Sequence, residues 1–499
     1  MDINTENTPK SPSLVDALVP TATLIALLGL SVYLFGDDSS YGANQIVLIL
    51  SGAVAVVIGL KNGMHWNTLE QSIYDGIRIA LGAILILLCV GMLIGSWILA
   101  GTVPAMIYFG LQILDPSWFY GAACVMSALV ALCIGSSWTT AGTVGVGLIG
   151  TAAGLGVSME VTAGAVVSGA YFGDKLSPLS ETTNLAPAVT GVDLFDHIRH
   201  LSWTTLPAFW IALLIFLWMG TGVEHSTESE QMQQIQVLLE QHFNLSTLLL
   251  LPLLLVLILA WRKVPAMASI LIGALTGAVF AIVFQRDNLL AFANAPELPV
   301  ALQLFKAVWI SLFNGYELNT GNGVIDSLLS RGGMSSMLNT VWLIICAMMF
   351  GAVMEKTGLL AKLIQGVLGM VRSTGSLIVA TICTCIGTNI VAGDQYISII
   401  LPGRMFKLEF ANRGLDALNL SRSIEDGGTI TSPLIPWNTC GAYMAATLGV
   451  ATLAYLPYAF FNLLGPLIAI VYGYANIKIR PLTLQEMDRV KTSAVHQNQ

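Results

Sequence analysis

Gly173-Asp174-Lys175-Leu176-Ser177-Pro178-Leu179-Ser180-Glu181-Thr182-Thr183-Asn184 interrupts an otherwise apolar run of the chain. Two carboxylates, a lysine, a proline and five hydroxyl or amide side chains fall within twelve residues. Pro178 removes one backbone donor and frees carbonyls one turn earlier. Serine, threonine and asparagine side chains compete with the helical ladder for the remaining backbone groups. Freed carbonyls exposed to lipid are costly, so such a break must face protein or water. Carbonyls, hydroxyls and carboxylates together are the oxygen ligands that suit a hard cation.

The surroundings of this stretch set the class. The chain has 499 residues, 55% hydrophobic and 10% charged, with a mean hydropathy of +0.76. A water-soluble chain carries about a quarter charged residues. Ten apolar segments are long enough to cross the ~30 Å hydrocarbon layer: 17–35, 44–60, 79–100, 158–190, 203–221, 245–261, 264–284, 337–355, 415–450 and 457–475. Two more, 116–156 and 374–408, carry a polar interruption and read as re-entrant hairpins, each preceded by a short amphipathic segment, 103–113 and 359–371. The sixteen polar N-terminal residues lack the basic region and cleavage site of a signal peptide, so 17–35 reads as a retained span. All seven cysteines lie in apolar segments, and their odd number argues against a disulfide framework.

The net charge of −8 says less than the placement of the bases. With the N-terminus inside, sixteen of the 21 Lys and Arg residues fall on the cytoplasmic side, Arg262 and Lys263 among them. Arg286, Lys306 and Arg331 fall outside, and Lys175 and Arg422 lie at membrane depth. The positive-inside rule therefore places both termini in the cytoplasm. The resulting division is a tail (1–16), a first half (17–221), an external loop (222–244), a second half (245–475) and a C-terminal tail (476–499).

The two halves echo each other. Ser177-Pro178-Leu179 recurs as Ser432-Pro433-Leu434, Leu206-Pro207 recurs as Leu456-Pro457, and Gly135 and Gly387 are read as opening the two hairpin tips. Each half holds five spans and one hairpin, and an odd count inverts the second half. The expected fold is thus an all-α polytopic membrane protein of two inverted repeats, with two re-entrant hairpins and two broken helices. Such repeats place their substrate near the bilayer midplane.

The second break runs from Glu425-Asp426-Gly427-Gly428 through Thr431, Ser432, Pro433 and Pro436 to Asn438. With the first break it supplies the candidate ion ligands: Asp174, Ser177, Glu181, Thr182, Asn184, Glu425, Asp426, Thr431, Ser432 and Asn438. The hairpins add Ser136, Ser137, Thr139 and Thr140 in one half, and Thr388, Asn389 and Asp394 in the other. An ionised carboxylate at the bilayer centre costs about 2.5–3.5 kcal/mol on insertion scales, so acids retained there are functional by default. One such carboxylate holds either a proton or Na⁺, and that competition is antiport in its simplest form. Asp174, Asp394 and Asp426 form the expected core of a transient Na⁺ site. The bland reading is that Lys175 pairs with Asp174, and Arg422 with Glu425 or Asp426, as packing devices.

Other features count for less. Gly145-Val146-Gly147-Leu148-Ile149-Gly150 fits the dinucleotide pattern but follows no predicted strand, so close helix packing explains it better. His197 and His200 read as residues of a solvated interfacial loop. No nucleotide-binding motif appears, so an ion gradient is the expected driving force. No catalytic residue, cofactor or nucleic-acid partner is expected.

At these residues the chain resembles the NhaC family of sodium/proton antiporters. The resemblance is carried by Gly135 through Thr143, Gly173 through Pro187 and Thr429 through Gly441, and extends over about residues 16–475. It implies a bacterial inner-membrane exchanger of Na⁺ for H⁺, with elevator motion of a transport unit against a scaffold that forms a homodimer in the bilayer. Relatives often have Asp where this chain has Glu181, and Thr where it has Ser136; both changes keep the functional group. The family also holds a malate–proton/sodium–lactate exchanger, so an organic-acid exchanger is the alternative. That alternative needs a free cation at depth, and Lys175 and Arg422 are the bases available.

Overall fold

The computed structural model describes residues 9–36, 39, 41–222 and 228–482. Half of the N-terminal tail and most of the C-terminal tail therefore lie outside the described residues, as do Arg489 and Lys491. Among the described residues the chain is helical, apart from one isolated β-bridge between Leu415 and Pro481. Among the described residues, seven helices are long and apolar enough to cross a membrane, and nine spans result if two sharply bent helix pairs each count as one. The chain is thus a multi-pass membrane protein. The broken segments expected at 158–190 and 415–450 are each divided into shorter helices, the spans expected at 245–261 and 457–475 are also served by short helices, and Thr374–Ala392, expected as a hairpin arm, is one of the seven.

One group of helices is unbroken. It includes Leu14–Phe35, Ala43–Lys61, Trp66–Leu99, Ala266–Phe284 and Leu338–Lys356. Trp66–Leu99 has 34 residues, about 50 Å at 1.5 Å per residue, and begins well before the predicted span 79–100. It packs against both Ala266–Phe284 and Leu338–Lys356. Between the halves, the structure replaces part of the expected external loop with the helix Glu228–His242. It also adds helices Arg286–Ala293 and Val300–Asn314 before the eighth predicted span.

The second group holds the interruptions. In the first hairpin, Phe119–Ile134 turns at Gly135, and the returning arm runs from Ser137 to Gly154 through a π-helical segment, Ala141–Gly145. Gly135 adopts φ +69°, which a side chain would resist, and a Cβ there would lie 2.6 Å from Leu179 Cβ. The hairpin tip is therefore pressed against the first break. Its outgoing arm packs closely on Met159–Leu176, where Gly169 and Gly173 admit the backbone carbonyls of Cys124 and Ala128. In the dinucleotide-like pattern, Gly147 and Gly150 accept Met106 and Ile107 of the helix Thr102–Ile113, and Gly145 accepts Leu448 and Val166, as close packing predicts.

The second hairpin corrects the expected tip. Gly387 sits inside the helix Thr374–Ala392, and the turn falls at Gly393 (φ +67°) and Asp394 before Gln395–Asn412. An isolated glycine inside an apolar helical run is tolerated; a capping Gly-Asp pair ends one helix and begins the next.

Candidate functional site

The first broken helix ends at Leu176 and resumes at Glu181. Ser180 caps the second segment by accepting from the Thr183 backbone N–H, and Thr183 Oγ1 donates to the freed carbonyls of Asp174 (3.1 Å) and Lys175 (3.2 Å). Asn184 donates to the carbonyls of Pro178 and Ser180. The break is thus self-satisfied in its backbone, which leaves its acidic side chains available.

Asp174 and Lys175 point to opposite sides. Asp174 is buried, and its carboxylate accepts from the Ser137 hydroxyl (2.6 Å) and backbone N–H (3.2 Å) at the tip of the first hairpin. Lys175 is fully buried and forms an ion pair with Asp426 of the second break. Thr204 Oγ1 also donates to Asp426, at 3.0 Å to one oxygen and 3.2 Å to the other. Neither expected pairing within one half occurs. Lys175 neutralises an acid of the other half, and Arg422, nearly fully buried, donates to the Lys478 carbonyl (3.2 Å) and forms no ion pair among the described residues.

A cavity of about 530 Å³ lies where the first break meets both hairpin tips. Asp174, Glu181, Thr182, Ser136, Ser137 and Thr139 line it from the first half, and Asp394 lines it from the second. Asp394 caps its own helix by accepting from the backbone N–H groups of Tyr396 (2.9 Å) and Ile397 (3.1 Å). Thr439 Oγ1 reaches it at 3.5 Å. The remaining walls come from the unbroken group, around Ile79–Ile86 and Lys263–Ala266, with Lys263 the one base among the lining residues. Four features that were not singled out from the sequence also line it: Ser180, Gln395, Tyr396 and Thr439. Each lies within two residues of one that was, and that proximity is the signal that would have found them.

Positive helix ends surround these acids. The returning arm of the first hairpin, Glu181–Thr190, Gln395–Asn412 and Thr439–Leu448 all begin at or beside the cavity. An N-terminus stabilises negative charge, and the chain's own carboxylates occupy three of these ends. Asp174 sits at the first, Glu181 in the first turn of the second, and Asp394 at the cap of the third.

The other residues named from the sequence are not at the cavity wall. Ser177 accepts from the Leu179 backbone N–H, and Thr140 donates to the Ser136 carbonyl. Thr388 donates to the carbonyl of Thr384. Asn389 donates to the Gly428 carbonyl and Thr431 Oγ1, while Asn438 donates to Asn389 and caps Thr439–Leu448. Thr431 and Ser432 close on the carbonyls of Gly427 and Thr429. Glu425 is fully buried, with neither carboxylate oxygen hydrogen-bonded. His197 departs from the expected solvated loop: it is buried in the helix Leu194–Gly220, with Nδ1 2.7 Å from Ser421 Oγ.

Interrupted membrane helices around a buried acidic cavity define a polytopic membrane transporter. Residues 169–477 match the model of the Na⁺/H⁺ antiporter family, and the chain belongs to that family. A protein named Na⁺/H⁺ antiporter NhaC from Alkalihalophilus pseudofirmus is 42% identical, over 87% of this chain and 91% of its own. A protein named arginine/ornithine antiporter ArcD from Halobacterium salinarum is 37% identical, over 94% and 93% of the two chains. A protein named malate-2H⁺/Na⁺-lactate antiporter from Bacillus subtilis is 35% identical, over 93% and 95%.

Proposed function

We propose that this protein exports Na⁺ in exchange for H⁺, with Asp174 and Asp394 as the acids that carry the exchanged ions. The supporting observation is that a buried carboxylate from each half lines the same cavity, while both bases at membrane depth are engaged elsewhere. Hydroxyls of Ser136, Ser137, Thr139 and Thr182 supply neutral oxygens around those acids. Such a set suits a cation that sheds part of its water, by analogy with other hard cations. Proton and Na⁺ compete for the same carboxylates, so neutralisation by one excludes the other. Antiport follows if the protein changes access only when the site is neutralised.

Asp426 and Glu425 receive a different reading. Asp426 is held by Lys175 and Thr204, so it serves as a counter-charge that joins the two breaks. Thr431, Ser432 and Asn438 hold backbone groups of the second break, and Glu425 is buried without a hydrogen bond. Localisation in the cell inner membrane, cytoplasmic termini and homodimer assembly follow from the base distribution and the family resemblance. In that orientation the cavity opens to the cytoplasm, beside Lys263. In-membrane crosslinking tests the dimer.

The malate/lactate alternative needs a cation to hold a carboxylate. Lys263, exposed at the rim, is the one base lining the cavity, and three acids face it. The balance favours a cationic substrate. Everted vesicles with a pH-sensitive dye decide the matter. Addition of Na⁺ alone is expected to dissipate the proton gradient; a response evoked only by malate or lactate would overturn the Na⁺/H⁺ reading.

A further inference from the structure

We infer that Tyr396 is a positioning residue that sets the apparent affinity for Na⁺, by fixing an acid from each half of the protein in one arrangement. Its backbone N–H donates to Asp394 Oδ1 at 2.9 Å, and its hydroxyl donates to Glu181 Oε2 at 2.6 Å. All three residues line the cavity. A single residue of the second hairpin therefore holds the cap of its own helix and the first acid after the opposite break.

The two bonds have separate consequences. Asp394 retains the Ile397 N–H as a second donor, and Asp174 is held independently by Ser137. Glu181 differs: it is exposed, and among the described residues it forms no ion pair. Without the Tyr396 hydroxyl its side chain regains rotamer freedom, which must be lost again whenever the carboxylate faces an ion. Fixing Glu181 in advance thus strengthens cation binding without a new ligand. That one bond is what the Tyr396 hydroxyl adds, because the backbone contact to Asp394 needs no side chain.

The inference rests on the Na⁺/H⁺ reading. Its test uses the full-length protein in everted vesicles, with half-saturating Na⁺ and maximal rate measured for native protein, Tyr396→Phe, Glu181→Gln and the double variant. Each single variant is expected to raise half-saturating Na⁺ by about tenfold, the scale of one hydrogen bond to a charged group. Its maximal rate should change much less. The double variant is expected to match Glu181→Gln, because Tyr396→Phe acts only through the charge that Glu181→Gln has already removed. A shift of less than about twofold in Tyr396→Phe, multiplying effects in the double variant, or a loss confined to maximal rate would each overturn the inference. Should Tyr396→Phe fail to reach the membrane, Glu181→Gln alters an exposed side chain, and an unshifted half-saturating Na⁺ in that variant would overturn the inference. A native protein silent to Na⁺ would sink the function and this inference together; a responsive one with unshifted variants would sink this inference alone.

Discussion

The two helix breaks start from one sequence device and reach different ends. Both place Ser-Pro-Leu where a helix stops, at 177–179 and 432–434. The first lies against the cavity and sends Asp174 and Glu181 toward it. The second is closed by side chains: Asn389, Thr431, Ser432, Tyr455 and Asn462 donate to carbonyls at 427–433. Its acid Asp426 is taken by Lys175 of the first. The acids also trade places between the halves. At the offset that aligns Ser177 with Ser432, Asp174 aligns with Thr429; at the hairpin tips, Ser136 occupies the capping place that Asp394 holds in the other half. One half has its acid in the break and a hydroxyl at the tip, and the other has the reverse. A repeated backbone thus brings Asp174 from one break and Asp394 from the opposite tip to the cavity, beside Glu181, without an acid at all four equivalent positions, which limits mutual repulsion in a poorly solvated site.

The strongest way to break this comparison is to remove charge at one end of it. Asp174→Asn is expected to lower Na⁺-evoked exchange by at least about a hundredfold, as loss of more than ~2.7 kcal/mol of ion stabilisation would, with membrane insertion intact. Asp394→Asn is expected to do the same, since Asn also caps a helix. Native rates in either variant, read by dye recovery in everted vesicles, would remove that acid from the ion site. The counter-charge reading of Asp426 makes a different prediction. Lys175→Met strands a buried charge and is expected to cost about 3–5 kcal/mol of stability, seen as a lower melting temperature in detergent. The double variant Lys175→Met/Asp426→Asn is expected to regain most of that loss. If it stays as unstable as the single variant, the pair is not what joins the breaks.

A smaller effect tests the hairpin tips. Gly135→Ala must adopt a left-handed conformation costing about 1–2 kcal/mol and must also displace Leu179. Gly387→Ala, with open space around its Cβ position, is expected to leave stability unchanged or slightly raised. Thermal unfolding of the two variants reverses this order if Gly387 marks the tip. The smallest expected effect is that of Glu425→Gln. Its carboxylate lies away from the cavity and forms no hydrogen bond, so an amide of the same shape is expected to keep exchange within about threefold of native, a difference under ~1 kcal/mol. Loss of exchange would return Glu425 to the ion pathway.

The sequence by itself determined the class, the presence of two interruptions in each half, and the candidate acids. These are local or compositional matters: apolar length is needed to cross lipid, and Pro178 and Pro433 disrupt a helix wherever they stand. It also located the first tip, because Gly135 is followed by Ser136 and its cluster of hydroxyls. It misplaced the second, because Gly387 was read in place of the Gly393-Asp394 cap. What only the tertiary structure decided was partnership. Lys175 lies one residue from Asp174 yet pairs with Asp426, 251 positions away, because successive helical residues point in different directions and packing alone brings the two breaks together. The same reason separates Asp394 and Asp426, equal candidates along the chain, into a cavity-lining acid and a neutralised one.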